Sequence, residues 1–180
     1  TMTLTVNKIS PSISFADVTK NFGDADFNLS ATSSSTGAFT YAIADGNIAT
    51  VTGSTTTIVG AGSTLVTVTQ AADANYNSAV ATMTLTVNTI DAVISFADVT
   101  KDFGEADFNL TATSSSTGAF TYAIADGNIA TVTGSTTTIV GAGSTLVTVT
   151  QAADTNYNSA VATMTLTVNK ISPSISFADV

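Results

Sequence analysis

The chain contains no cysteine, no histidine, no tryptophan and no arginine. Without cysteine there are no disulfide staples and no thiolate chemistry. Without histidine or cysteine, a Ser-His or Cys-His nucleophile cannot be assembled. Charged residues make up 9% of the chain, against roughly 25% in an average globular protein. Four lysines face thirteen acidic residues, for a net charge of −9. Such a surface repels phosphate, which makes nucleic acid and anionic membrane poor partners. No apolar run reaches the length of about 18 residues needed for a spanning helix, and no basic segment followed by an apolar one opens the chain as a signal peptide would. Many small secreted domains use disulfides, so the lack of cysteine leans toward the cytosol. The scarcity of lysine and the lack of arginine lean the other way, because trypsin-like proteases find almost nothing to cut. On balance an extracellular, cell-surface location is expected.

What is present is repetition. The segment TMTLTVN at residues 1–7 returns at 82–88 and 163–169. A shift of 81 residues lays the sequence on itself, and residues 1–81 and 82–162 differ at eight positions. These are Lys8/Thr89, Ser10/Asp91, Pro11/Ala92, Ser12/Val93, Asn21/Asp102, Asp24/Glu105, Ser30/Thr111 and Ala74/Thr155. Four of the eight fall within residues 8–12, where change is expected if few contacts constrain the chain. Pro11 and Pro173 occupy that same window, and proline suits a strand start or a connection. A period of 81 exceeds that of most solenoid units, about 20–50 residues, and is close to the size of a small self-contained β domain. The expected organisation is therefore residues 1–8 as the last strand of a preceding repeat, 9–89 and 90–170 as whole repeats, and 171–180 as the first strand of a following one. Such end points imply a window from a longer array.

Period-two alternation dominates each copy, and no stretch has helical apolar spacing of useful length. Ile9, Pro11, Ile13 and Phe15 alternate with polar residues and predict a first strand. FNLSATS, FTYAI, IATVT, TTTIV, STLVTVTQ and ATMTLTV supply six more. Asp45-Gly46, Gly53-Ser54 and Gly60-Ala61-Gly62 punctuate them as turns, and AADANYNS reads as a longer loop. The fold class expected is all-β: a tandem β-sandwich of about seven strands per 81-residue repeat. In TMTLTV, Met, Leu and Val fall on one face and Thr on the other, as a half-buried strand requires. Phe15, Phe22, Phe27, Phe39, Tyr41 and Tyr76 join the aliphatics in each core. At roughly 1.5–3 kcal/mol per large buried side chain, such a core offsets the ordering entropy of the repeat only narrowly.

IATVTGSTTTIVGAGSTLVTVTQAADANYNSAVATMTLTVNK resembles bacterial immunoglobulin-like repeats. The matching elements are A-T-V, a short Gly turn, G-A-G-S-T before V-T-V-T, then N-Y-N and a closing L-T-V-N-K. The likeness extends over nearly all of each copy and departs at FTYAIADGN, where such domains often carry a Trp or a Ser-rich stretch. Near-identical arrays with NYN loops look especially like those of gliding-motility and biofilm adhesins of Bacteroidota. The resemblance implies structural spacer or stalk repeats of a long surface adhesin fibre, projecting a distal binding region, with neighbouring repeats of the same chain as partners. The alternative is that the repeats themselves bind a ligand such as surface glycan.

Asp24 and Asp26 in GDAD, matched by Glu105 and Asp107, have the spacing of a carboxylate pair and read first as a solvated turn. Calcium is the stronger use of carboxylates: Asp24, Asp26, Asp45 and Asp73 with backbone carbonyls offer the oxygens it takes, and Asp91 would lie at a junction. The equivalents of Asp91 are Ser10 and Ser172, so a joint-stiffening metal would lose a ligand at alternate joints. Lys20 or Lys101 and Gln70 or Gln151 have the chemistry of covalent cross-links, but Lys20 lies in ADVTKNFGDAD, read as a polar loop. Tyr76 and Tyr157 read as loop-base tyrosines bonded to backbone, resembling a tyrosine corner, rather than exposed sugar-stacking rings. Ice binding by the Thr rows requires a flat array, which strand twist opposes. No catalytic, cofactor-binding or metal residue is expected to define the chain, and no enzyme activity.

Overall fold

The computed structural model describes residues 1–177. Every regular element among them is a β-strand. The chain divides into two compact units, Thr1–Ile90 and a second that begins at Asp91.

In the first unit the strands are β1 (Ile13–Ser14), β2 (Val18–Asn21), β3 (Phe27–Asn28), β4 (Thr32–Ser33), β5 (Phe39–Ile43), β6 (Ala49–Thr52), β7 (Thr55–Ile58), β8 (Gly62–Gln70) and β9 (Ala79–Asn88). A four-stranded sheet has the order β2-β9-β8-β5, and a three-stranded sheet the order β3-β7-β6. β1 and β4 form a separate short pair. All ladders are antiparallel except β2 with β9. Val66, Met83, Leu85 and Val87 from the larger sheet meet Leu29, Ala49, Val51 and Ile58 from the smaller, with Phe15, Phe22, Phe27 and Tyr41 packed around them. The unit is a two-layer β-sandwich with its core between the sheets. The second unit repeats both sheets, with Val147, Met164, Leu166 and Val168 in the equivalent interior positions.

Period-two alternation places the core. In β9, Met83, Leu85 and Val87 are at most 2% exposed, while Thr82 and Thr84 face solvent. The same seven letters at residues 1–7 form no strand, and there Met2 is 98% exposed and Leu4 85%. Residues 171–177 also form no strand, and the remainder of the 171–180 segment lies outside the described residues. The β6–β7 hairpin closes through Gly53 at φ 64°, a left-handed conformation that glycine adopts without strain.

Three expectations are corrected. ADVTKN is not a polar loop: it contains β2, paired parallel to β9 with Val18 opposite Leu85 and Lys20 opposite Val87. Only two inward positions alternate there, and one is a lysine, so no apolar period is visible. The first strand does not run from Ile9 to Phe15. Ile9 makes a single parallel bridge to Tyr76, and a ladder forms only at Ile13–Ser14. FNLSATS is not one strand either. β3 pairs with β7, whereas β4 crosses to pair with β1.

Candidate functional site

The most densely bonded polar centre of each unit is built from two segments far apart in sequence. β8 ends at Gln70, and the loop that follows carries Asp73. Ser35-Thr36-Gly37 precedes β5. One carboxylate oxygen of Asp73 accepts the Ser35 hydroxyl (2.8 Å), the Thr36 amide (2.9 Å) and the Thr36 hydroxyl (3.1 Å). The other accepts the amides of Asn75 and Tyr76, both at 2.8 Å. These donors, the Thr36 amide foremost and then the Ser35 hydroxyl, hold the carboxyl far below the usual carboxylate range. In the second unit Asp154 repeats the arrangement on Ser116, Thr117, Asn156 and Tyr157 and is depressed likewise, the Thr117 amide contributing most.

Gln70 locks the same turn from the core side. Its side chain is fully buried, and its Nε2 donates to the carbonyls of Ser35 (3.0 Å) and Gly37 (2.9 Å). Its Oε1 is buried with no hydrogen-bond partner among the described residues, and so are Gln151 Oε1 and the hydroxyls of Thr56 and Thr137. Gly37 is forced by packing, because a Cβ there would collide with the Ala71 carbonyl. The sequence carried one signal for this lock. Gln70 has the parity of Val66 and Val68, so it had to point inward.

The sequence candidates do not converge. Among the described residues, no group of three or more acidic side chains could hold a metal ion. Asp24 accepts the Asn21 amide (2.9 Å) in the turn after β2. Asp45 accepts the Asn47 amide (2.9 Å) in the β5–β6 turn. Asp73 is engaged in its own loop, and Asp91 accepts Asn158 Nδ2 at 2.8 Å. Lys20 is half-buried, with Nζ 4.9 Å from the centroid of Phe27. Lys101 lies over Phe108 and pairs with Glu105 at 2.8 Å, and that lysine lowers the Glu105 pKa. Tyr76 is half-buried and is held through its backbone amide and carbonyl by Asp73. The Tyr41 hydroxyl meets a backbone amide, accepting from Ala31 at 3.3 Å.

Apart from buried ones such as Thr56 and Thr64, many threonines assemble on the outer sheet faces. Thr67 stands opposite Thr82, Thr40 opposite Thr69, and Thr19 opposite Thr86. Thr50 and Thr52 pair with Thr57 and Thr55 on the other sheet. An open recess in the second unit is lined by Phe103, Val140, Gly141, Ala142, Lys170 and Ile171. It gathers one charge and no converging polar side chains. No helix of the described residues is long and apolar enough to cross a membrane.

Two antiparallel-rich sheets of four and three strands, with a separate short two-stranded pair, define an immunoglobulin-like β-sandwich, present twice. No family model matches the chain, and no curated protein does. Among solved structures, Drosophila N-cadherin EC1-4 superimposes with a TM-score of 0.41 at 16% identity, over 90% of this chain and 50% of that one. The chain thus spans half the length of that structure. Human protocadherin-24 EC1-2 gives 0.38 at 11%, over 92% and 100%. Clostridium thermocellum CbhA fibronectin(III)-like modules give 0.32 at 14%, over 93% and 100%. At these values the likeness assigns no family.

Proposed function

We propose that the chain is a run of structural spacer repeats from a bacterial cell-surface adhesin of the gliding-motility or biofilm kind, projecting a distal binding region from the cell. Residues 9–89 and 90–170 are the whole repeats, and 1–8 and 171–180 belong to their neighbours. The observation that carries the proposal is copying without chemistry. Residues 1–81 and 82–162 are the same but for eight positions, and the polar centre of each copy is spent on bracing its own loops. A binding protein selected for one ligand site has no need of near-identical serial copies, whereas length does. The role asks for no cofactor and no catalytic residue.

Two measurements test it. Antibody raised to the repeat is expected to label intact, unpermeabilised cells of the source organism. Mechanical pulling is expected to give successive unfolding steps, each releasing roughly 280 Å for about 80 residues at some 3.5 Å apiece. Label confined to lysed cells, or one cooperative step for the whole chain, would overturn the proposal.

A second reading makes each repeat a glycan-binding module that gains avidity by number. Its support is that Tyr76 and Tyr157 keep part of their surface in solvent. Repeatable binding on a glycan array, abolished by Tyr76→Ala with Tyr157→Ala, would establish it in place of the spacer role.

A further inference from the structure

One of the eight differences between the copies exchanges Ser30 for Thr111 and so keeps a hydroxyl. Both residues are exposed, and neither hydroxyl makes a hydrogen bond among the described residues. Each stands two positions after an exposed asparagine, in Asn28-Leu29-Ser30 and Asn109-Leu110-Thr111. Asn-x-Ser/Thr, with x other than proline, is the acceptor pattern for N-linked glycosylation. Serine and threonine are so common in this chain that the pattern alone decides nothing. The surrounding geometry adds what the pattern lacks.

β3 is a margin strand of the three-stranded sheet, and Asn28 is its last residue. Phe27 packs on the core and Leu29 is 5% exposed. Side chains alternate along an extended chain, and Asn28 and Ser30 flank the buried Leu29 on the solvent side. Across the sheet from Asn28 stand Thr55 and then Thr52, both exposed. No side chain larger than threonine stands in that row, so a sugar on Asn28 meets an open polar shelf.

The Thr55 hydroxyl donates to Asn28 Oδ1 at 3.0 Å. That bond turns the oxygen branch of the amide toward β7 and leaves Nδ2, the atom that carries the sugar, on the other branch. An N-glycosyl amide keeps its Oδ1 lone pairs, so the bond survives modification. The second copy repeats the arrangement: Thr136 donates to Asn109 Oδ1 at 3.0 Å, and Leu110 is 4% exposed. Bonding to Thr55 accounts for Asn28 but not for the hydroxyl kept at positions 30 and 111, whereas an acceptor site accounts for both. Asp26 and Asp107 lie two positions before the asparagines, exposed, and set a carboxylate at the entrance to each motif.

We propose that Asn28 and Asn109 are acceptor sites for an oligosaccharide donated from a polyprenyl diphosphate by an oligosaccharyltransferase. Nδ2 forms a bond to C1 of the sugar, and the C1–O bond to the diphosphate breaks. The polyprenyl diphosphate leaves with the electron pair, and one amide proton passes to a base of the transferase. Nothing is oxidised or reduced. The sites go beyond the spacer role and rest only on its cell-surface location, which takes the chain past such an enzyme. One site per 81 residues spaces bulky polar groups evenly along the array.

The test is mass spectrometry of the chain isolated from its source organism. Peptides containing Asn28 and Asn109 are each expected to carry an added oligosaccharide mass, placed on the asparagine by fragmentation. Ser30→Ala with Thr111→Ala is expected to abolish the added mass with the Tm unchanged, since neither hydroxyl is bonded. Asn28→Gln with Asn109→Gln is expected to abolish it too, and Asp26→Asn with Asp107→Asn to lower occupancy severalfold. Two results would overturn the proposal: bare asparagines at both positions, or an added mass that persists in the Ser30→Ala, Thr111→Ala variant. Bare asparagines on a chain that antibody still labels on intact cells would remove these sites and leave the spacer role standing.

Discussion

Asp73 and Ser35 stand 38 positions apart in the chain, yet the Asp73 carboxylate accepts the Ser35 hydroxyl at 2.8 Å. That bond, repeated between Asp154 and Ser116 at 2.9 Å, ties the β8–β9 loop to the turn entering β5. It closes one end of each sandwich with polar atoms, where the core cannot reach.

Removing the clamp should loosen both loops together. Asp73→Ala leaves the Ser35 and Thr36 donors and the amides of Asn75 and Tyr76 without their acceptor. The expected result is a lower Tm for that unit, with faster amide exchange at Thr36, Asn75 and Tyr76. Asp73→Asn should be milder, because one oxygen acceptor remains.

The clamp also makes stability acid-sensitive. Asp73 and Asp154 titrate in the folded protein below their ordinary value of 3.8. Their stabilisation is complete above that unfolded value and is lost as pH falls through it toward the lower folded value. Urea unfolding measured from pH 6 down to pH 2 should show declining stability below about pH 4. Asp73→Asn with Asp154→Asn should flatten that decline.

One sequence in two settings permits an internal control. Leu85 is fully buried, whereas Leu4, in the same TMTLTVN context, is 85% exposed. Leu85→Ala should cost about 2–5 kcal/mol in urea denaturation. Leu4→Ala should stay within about 0.5 kcal/mol.

Gly37 is expected to be intolerant of the smallest enlargement. Gly37→Ala drives a Cβ into the Ala71 carbonyl, backbone that cannot swing aside, and it disturbs the bond from Gln70. A loss exceeding about 1 kcal/mol is expected on chemical denaturation. Gly46→Ala, with nothing within 4 Å of its Cβ position, should be far better tolerated.

Much of the architecture is legible in the amino-acid sequence. Strand alternation placed Met83, Leu85 and Val87 inside and the threonines between them on the other face, because successive β side chains point to opposite faces whatever their partners. Asp45-Gly46 and Gly53-Ser54 declared their turns through local backbone preferences. β2 escaped because Val18 and Lys20 are too few to show a period. The polar lock escaped because Asp73 in a loop looks solvated until its donors are known.

The repeat, the all-β class and the inward parity of a long strand such as β9 were thus decided by sequence alone, since each depends on neighbours one or two positions away or on direct copying. Tertiary structure alone decided that β2 runs parallel to β9, 67 residues on, that Asp73 and Gln70 grip the same turn, and that FTYAI lies at the margin of its sheet. Those outcomes depend on which distant backbone groups find each other once the two layers close, and no local preference carries that information.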